Sequence, residues 1–195
     1  MPVRSDADLS KDPDLQGFSD SDWGGDLETS KSTSGWATGY DEFDGLTHAY
    51  LDLGSKLQTA VALSTGEAEY TACTYSSSKS AIPMQIFLED VLGRRVMLRL
   101  WIDNSAAYYT VETGETKRMR HMKKTQRIEA NFVNGLLKER AGDRMAAYVN
   151  TDENVADLET KALGKGPCEK ALMRMNVKDF VQFDDAQRRL RYHRD

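Results

Sequence analysis

The chain has 195 residues, 39% of them hydrophobic and 29% charged, with a formal net charge of -5. That length and balance suit one domain with a sizeable core and a well-solvated surface. They exclude a globally basic nucleic-acid binder, so any such binding must come from local clustering of cations. No apolar run reaches the length of a membrane span, and the two cysteines, Cys73 and Cys168, have no zinc spacing; both read as free thiols of a reducing compartment.

Residues 1–14 are polar and acidic, lack the apolar stretch of a signal peptide, and read as a frayed leader. Leu15 to Phe18 begins a strand that Gly24-Gly25 ends. Asp20 and Asp22 lie on it two residues apart, so they share a face. They are either solvated turn residues or a pair awaiting a cation. Thr33 to Tyr40 and Leu46 to Leu53 read as two further strands, at the spacing of an antiparallel meander.

The period then changes. Ser64-Thr65-Gly66-Glu67 is a capping box, and the helix it starts should run to Leu92 with Gly93 as its stop. Tyr70, Cys73, Ser77, Ala81, Met84, Leu88 and Val91 form its expected buried stripe. Pro83 should kink or divide it. Val96 to Asp103 reads as a strand buried on both faces. A short helix from Ser105 to about Gly114, a basic run from Lys117 to Arg127 and a helix from Ile128 to Arg140 follow. Arg144 to Asn150 is a fifth strand. A helix from Thr151 to about Leu163 and a last one from Cys168 to Met175 precede a charged tail, residues 177–195. The order predicts an α/β fold: a mixed five-stranded sheet, three antiparallel strands and then parallel ones, flanked by helices.

Four acids stand out by position. Asp20 is near the end of the first strand, Glu69 one turn into the first long helix, Asp103 at the end of the fourth strand, and Asp157 at the start of the helix after the fifth. Strand ends and helix starts at one rim of such a sheet are where sites form. Four carboxylates gathered there would repel unless cations sat among them, and oxygen-only ligands favour Mg²⁺ or Mn²⁺. Each acid also has an ordinary reading: Glu69 as a helix-dipole residue, Asp103 as a turn residue, Asp157 as an early-helix acid.

Five stretches carry a resemblance: residues 17–26 (Gly-Phe-Ser-Asp-Ser-Asp-Trp-Gly-Gly-Asp), 31–35, 58–70 (through Ala68-Glu69-Tyr70), 102–106 (Ile-Asp-Asn-Ser-Ala) and 154–163 (Asn-Val-Ala-Asp-Leu-Glu-Thr-Lys-Ala-Leu). In this order and spacing the chain resembles the ribonuclease H domain of copia-type LTR retrotransposon Pol polyproteins, over about Leu15 to Met175. The resemblance implies a ribonuclease H-like fold over residues 15–176. It implies an Asp-Glu-Asp-Asp site at Asp20, Glu69, Asp103 and Asp157, holding two Mg²⁺ ions for which Mn²⁺ can substitute. It selects Asp20 over Asp22, which becomes a supporting residue, and Glu69 over Glu67, which keeps its capping role. The implied reaction is hydrolysis of the RNA strand of an RNA–DNA hybrid during reverse transcription. In it Asp20 bridges both ions, Asp157 helps hold the one that activates water, and Glu69 and Asp103 hold the one on the leaving-group side.

Asn104 is a candidate contact to the RNA 2′-hydroxyl, or simply a helix N-cap. Lys117, Arg118, Arg120, Lys123, Lys124 and Arg127 form a candidate phosphate-tracking face, or a solvated helix end. His121 matches a histidine common in the family, without a catalytic role. The chain departs from related enzymes in three ways. No histidine lies between Ala146 and Asn154 to shuttle a proton, Pro83 interrupts a regular helix, and the loop from Tyr40 to Leu46 is acidic. The resemblance further implies a reverse transcriptase domain as partner, no membrane, and a cytoplasmic (virus-like particle) or nuclear setting. The chain is then an excised domain or a genomic relic. A decayed ribonuclease H-fold module that binds nucleic acid without cutting it, and a DNA-cutting nuclease of the same fold, are the competing readings.

Overall fold

The computed structural model describes residues 14–41, 48–115 and 124–177, with the backbone alone for His48 and for residues 124–130. Most of the expected leader, the acidic loop at 42–47, the charged tail from 178 onward, and Lys117, Arg118, Arg120, His121 and Lys123 lie outside the described residues.

The elements are β1 (Leu15–Asp22), β2 (Thr33–Asp41), β3 (His48–Leu57), α1 (Thr65–Ser76), a π turn (Ser77–Ala81), α2 (Ile82–Leu92), β4 (Leu98–Ile102), α3 (Ser105–Thr113), α4 (Lys124–Glu139), β5 (Arg144–Tyr148), two 3-10 turns (Thr151–Glu153 and Val155–Glu159) and α5 (Lys165–Arg174). The sheet order is β3-β2-β1-β4-β5. β1 pairs antiparallel with β2 and parallel with β4, and β4 pairs parallel with β5. The expected mixed sheet is therefore present, with β1 at its centre.

The two faces of the sheet bury different things. On one, Leu15, Leu98, Leu100 and Ile102 pack with Tyr70, Cys73, Ala107, Val111, Val133 and Leu137 from the helices. On the other, Phe18 and Ala37 pack with Val149, Val155, Ala156 and Met175. Two close approaches fix these layers. A Cβ on Gly17 would lie 3.1 Å from Ala81 Cβ, where β1 meets the π turn. One on Gly35 would lie 2.6 Å from Thr160 Cγ2 and 2.8 Å from Glu159 Cβ. Only glycine lets the segment after β5 ride this low over β2.

Three expectations need correction. The long helix runs to Leu92 as expected but not as one regular α-helix: the π turn lies between α1 and α2 with no non-helical residue, and the Ile82 N–H bonds back to the Ser77 carbonyl. Pro83 then falls at the start of α2, where its missing N–H matters least. The widened turn advances the helix phase. Gln85 and Glu89 are buried, Met84 and Leu88 are only partly so, and Val91 is 64% exposed. Both buried polar groups are satisfied. Gln85 Nε2 donates to the Val96 carbonyl at 2.8 Å and its Oε1 accepts from Arg144 Nε at 2.7 Å. Glu89 takes two hydrogen bonds from Arg140, at 2.6 and 2.8 Å. Gly93 ends α2 at φ 63°, as expected of a glycine stop.

The second correction concerns the segment after β5, which forms two short 3-10 turns rather than an α-helix. Asn154 sits between them in extended backbone, with its Nδ2 donating to the Ser19 carbonyl at 2.8 Å and its Oδ1 capping Ala156. That tie to β1 holds the segment against the sheet in place of a helical course. Third, the last helix starts at Lys165, before Cys168, with Pro167 tolerated in its first turn. Both cysteines are free. Among the described residues no helix is long and apolar enough to cross a membrane.

Candidate active site

Asp20 is fully buried and stands opposite Gly35 of β2. It lies one residue past the end of the β1–β4 pairing, where Ser19 aligns with Ile102, so the next residue on β4's side is Asp103. Asp157 lies in the second 3-10 turn, set by the Asn154 tie and by the glycine window at Gly35. One carboxylate oxygen from each of Asp20, Asp103 and Asp157 lies within 4.8 Å of the others, a grouping that could hold a metal ion.

Glu69 approaches from α1. The start of that helix is fixed by the capping box: Glu67 N–H donates to Ser64 Oγ at 3.2 Å, and Glu67 Oε2 accepts from the Leu63 N–H at 3.0 Å. Gln58 ties the same turn to β2, donating to Ser34 Oγ at 2.9 Å and to the Ala68 carbonyl at 3.0 Å. Glu69 is 7% exposed. Its Oε1 accepts a 3.3 Å hydrogen bond from the Ser21 N–H, while Oε2 is buried with no partner among the described residues. Burial, and then the charges of Asp20 and Asp103, push its pKa up to about 9. Asp103 is raised too, by burial and then by Asp20. Asp157 is raised to about 6, by burial and by Asp20, against a lowering contact with Lys161. Three aspartates thus cluster at one rim, with Glu69 outside that grouping but near enough to feel Asp20 and Asp103; Glu69, Asp103 and Asp157 are each raised by burial and by neighbouring charge.

Two residues in this cluster were not among the expected site residues. Lys161 Nζ lies 3.0 Å from Asp20 Oδ1 and 2.7 Å from Asp157 Oδ1. The Thr160 hydroxyl donates to the second oxygen of Asp20. The signal was present: Thr160-Lys161 belongs to the stretch that holds Asp157, and Lys161 follows Asp157 by four residues. Asp22 stands elsewhere. Its Oδ1 accepts from the Thr33 N–H and its Oδ2 lies where a Cβ on Gly25 would be, so it closes the β1–β2 hairpin. Asn104 caps α3, accepting from the Ala106 and Ala107 N–H groups at 3.0 and 3.1 Å. Of the basic run, the backbone of α4 places Lys124 and Arg127 in its first four positions.

The chain is 29% identical over 160 residues, 81% of its length, to the retrovirus-related Pol polyprotein from transposon TNT 1-94 of Nicotiana tabacum. It is 29% identical over 154 residues, 77% of its length, to that from transposon RE1 of Arabidopsis thaliana. The chain is a homologue of the transposon Pol polyproteins. It spans about a tenth of their length, 11% and 10% respectively. No protein-family model matches it. Among solved structures, LC11-RNase H1 in complex with an RNA/DNA hybrid superposes at a TM-score of 0.50 with 12% identity, covering 75% of this chain and 93% of that one. The Pol homologue therefore has a ribonuclease H fold.

Proposed function

We propose that this Pol homologue is a metal-dependent ribonuclease that hydrolyses the RNA strand of RNA–DNA hybrids. A fold alone does not assign chemistry, so the reading rests on the site. The observation that carries it is the grouping of Asp20, Asp103 and Asp157, one oxygen of each within 4.8 Å of the others, beside a buried Glu69 Oε2 that has no partner among the described residues. A buried carboxylate oxygen without a proton donor is costly, and a divalent cation is the partner that removes the cost for the whole cluster. The donor set is oxygen only, which fits Mg²⁺, with Mn²⁺ able to replace it. Asp20 and Asp157 would hold the ion that activates water, and Asp20, Glu69 and Asp103 the ion that stabilises the leaving group. When bound, such a pair supplies activation of water and charge stabilisation during in-line displacement at phosphorus.

The chain's own residues supply the positioning. The Asn154–Ser19 bond and the Gly35 window fix Asp157 against Asp20. The capped start of α1 fixes Glu69. Hybrid as substrate is supported by the complex of LC11-RNase H1. Lys117, Arg118, Arg120, Lys123, Lys124 and Arg127 would track its phosphates, and Asn104 would reach the RNA strand while its Oδ1 caps α3. A role in reverse transcription, beside a polymerase segment of a longer polyprotein, is supported by the Pol relatives, of which this chain covers only a part.

The test is cleavage of labelled RNA–DNA hybrid, double-stranded RNA and double-stranded DNA by the purified chain, in Mg²⁺, Mn²⁺ or EDTA. Ion-dependent cleavage of the hybrid alone is expected. Binding of hybrid without cleavage in either ion would replace this reading with a binding module, and cleavage of double-stranded DNA would replace it with a DNA nuclease.

A further inference from the structure

We propose that Lys161 is the resident counter-cation of the carboxylate cluster and is displaced when a divalent ion enters between Asp20 and Asp157. The inference rests on the metal-site reading above and adds a residue to it. The Lys161 ammonium takes one oxygen from Asp20, at 3.0 Å, and one from Asp157, at 2.7 Å. Asp20 and Asp157 are two of the three aspartates that cluster. An ammonium and a metal ion that use the same lone pairs exclude each other. In the absence of ions the lysine does what an ion would do more strongly: it offsets the repulsion around Asp20, which is fully buried and which water cannot reach. A divalent ion brings twice the charge and several oxygen ligands at once, so it wins the exchange at sufficient concentration.

The surroundings allow the exchange. The Lys161 side chain is 37% exposed, so its ammonium can leave for solvent without opening the core. Its backbone stays in place, because its N–H bonds the Asp157 carbonyl at 3.0 Å and the adjoining Thr160 hydroxyl holds the other oxygen of Asp20. Removing the ammonium therefore need not move Asp157. The lysine keeps the empty site assembled and, in return, raises the ion concentration needed to fill it.

The test is a Mn²⁺ titration of the full chain followed by electron paramagnetic resonance, comparing wild type, Lys161→Met and Asp20→Asn. Lys161→Met should bind Mn²⁺ more tightly by on the order of tenfold, the scale of one charge-assisted contact. Its ion-free melting temperature should fall and recover with Mn²⁺. Equal or weaker binding in Lys161→Met overturns the inference and leaves the metal site standing. A wild type that does not bind Mn²⁺, or Asp20→Asn binding as well as wild type, removes the metal-site reading and this inference with it. A second measurement needs no variant: amine labelling of Lys161 in the wild type, read by peptide mass spectrometry. Labelling should rise when Mn²⁺ is added, and unchanged or reduced labelling counts against displacement.

Discussion

At the scale of single residues, Glu69 couples the site to pH. Its folded pKa of about 9 lies above the ordinary 4.5, because burial and the charges of Asp20 and Asp103 disfavour the ionised form. Below pH 4.5 the carboxyl is protonated both folded and unfolded, and its ionisation costs nothing. As pH rises from there towards 9, the unfolded chain releases the proton and the folded one keeps it, so stability is progressively lost. Asp157, raised to about 6, adds to the loss over the lower part of that window. The ion-free chain should therefore melt at a lower temperature at about pH 8 than at about pH 5.5. Saturating Mg²⁺ should shrink the difference, and Glu69→Gln should flatten most of it. Thermal denaturation across that range checks this; an ion-free melting temperature that rises with pH would contradict it. In the sequence, position at element ends only made the four acids candidates, and the family resemblance chose Asp20 over Asp22 and Glu69 over Glu67. Lys161 stood in the same stretch as Asp157, but its place in the site shows only in the 2.7 and 3.0 Å approaches that the folded segment creates.

At the scale of elements, the site depends on how closely the segment after β5 lies on β2. The spacing of apolar residues predicted the strands well, since β4 is nearly all apolar and β1 to β3 follow hairpin spacing. It misjudged this segment, because a side-chain tie from Asn154 to the Ser19 carbonyl joins residues far apart in the chain and leaves no periodic trace. The π turn was hidden for a related reason. Pro83 signalled a break, but not that an extra residue would turn Gln85 and Glu89 inward, where Val96, Arg140 and Arg144 await them. The glycine window gives a test. In Gly35→Ala the new methyl would collide with Thr160 and Glu159, at 2.6 and 2.8 Å. We expect a stability loss of about 1–3 kcal/mol, the usual cost of overpacking, and a larger loss of hybrid cleavage as Asp157 and Lys161 are pushed off Asp20. Urea unfolding together with initial cleavage rates measures both. Full activity in Gly35→Ala would show that the segment can lift without consequence.

At the scale of the whole molecule, a net charge of -5 is set against the proposed nucleic-acid substrate, so the proposed binding must depend on a local cationic surface. The basic run from Lys117 to Arg127 is the candidate. Replacing Lys117, Arg118, Arg120 and Lys123 with Gln should weaken hybrid binding and flatten its dependence on salt, by roughly 0.7–0.9 in the log–log slope for each phosphate no longer neutralised. The turnover of bound substrate should change little, because these residues are assigned to positioning. Fluorescence anisotropy at several salt concentrations, beside single-turnover rates, separates the two effects. An unchanged slope would return the run to the role of a solvated helix end.

The central claim is that Asp20, and not its neighbour Asp22, organises the chemistry. Asp20 is buried among the carboxylates, whereas Asp22 accepts the Thr33 N–H in the hairpin, a bond that asparagine can also accept. The most direct measurement is the initial rate of hybrid cleavage in Mg²⁺ for Asp20→Asn and Asp22→Asn, with folding checked by circular dichroism. Asp20→Asn should lose cleavage by on the order of a thousandfold or more, about 4 kcal/mol of transition-state stabilisation, while Asp22→Asn keeps most of the wild-type rate. Equal losses in both variants, or cleavage that survives in Asp20→Asn, would contradict the account.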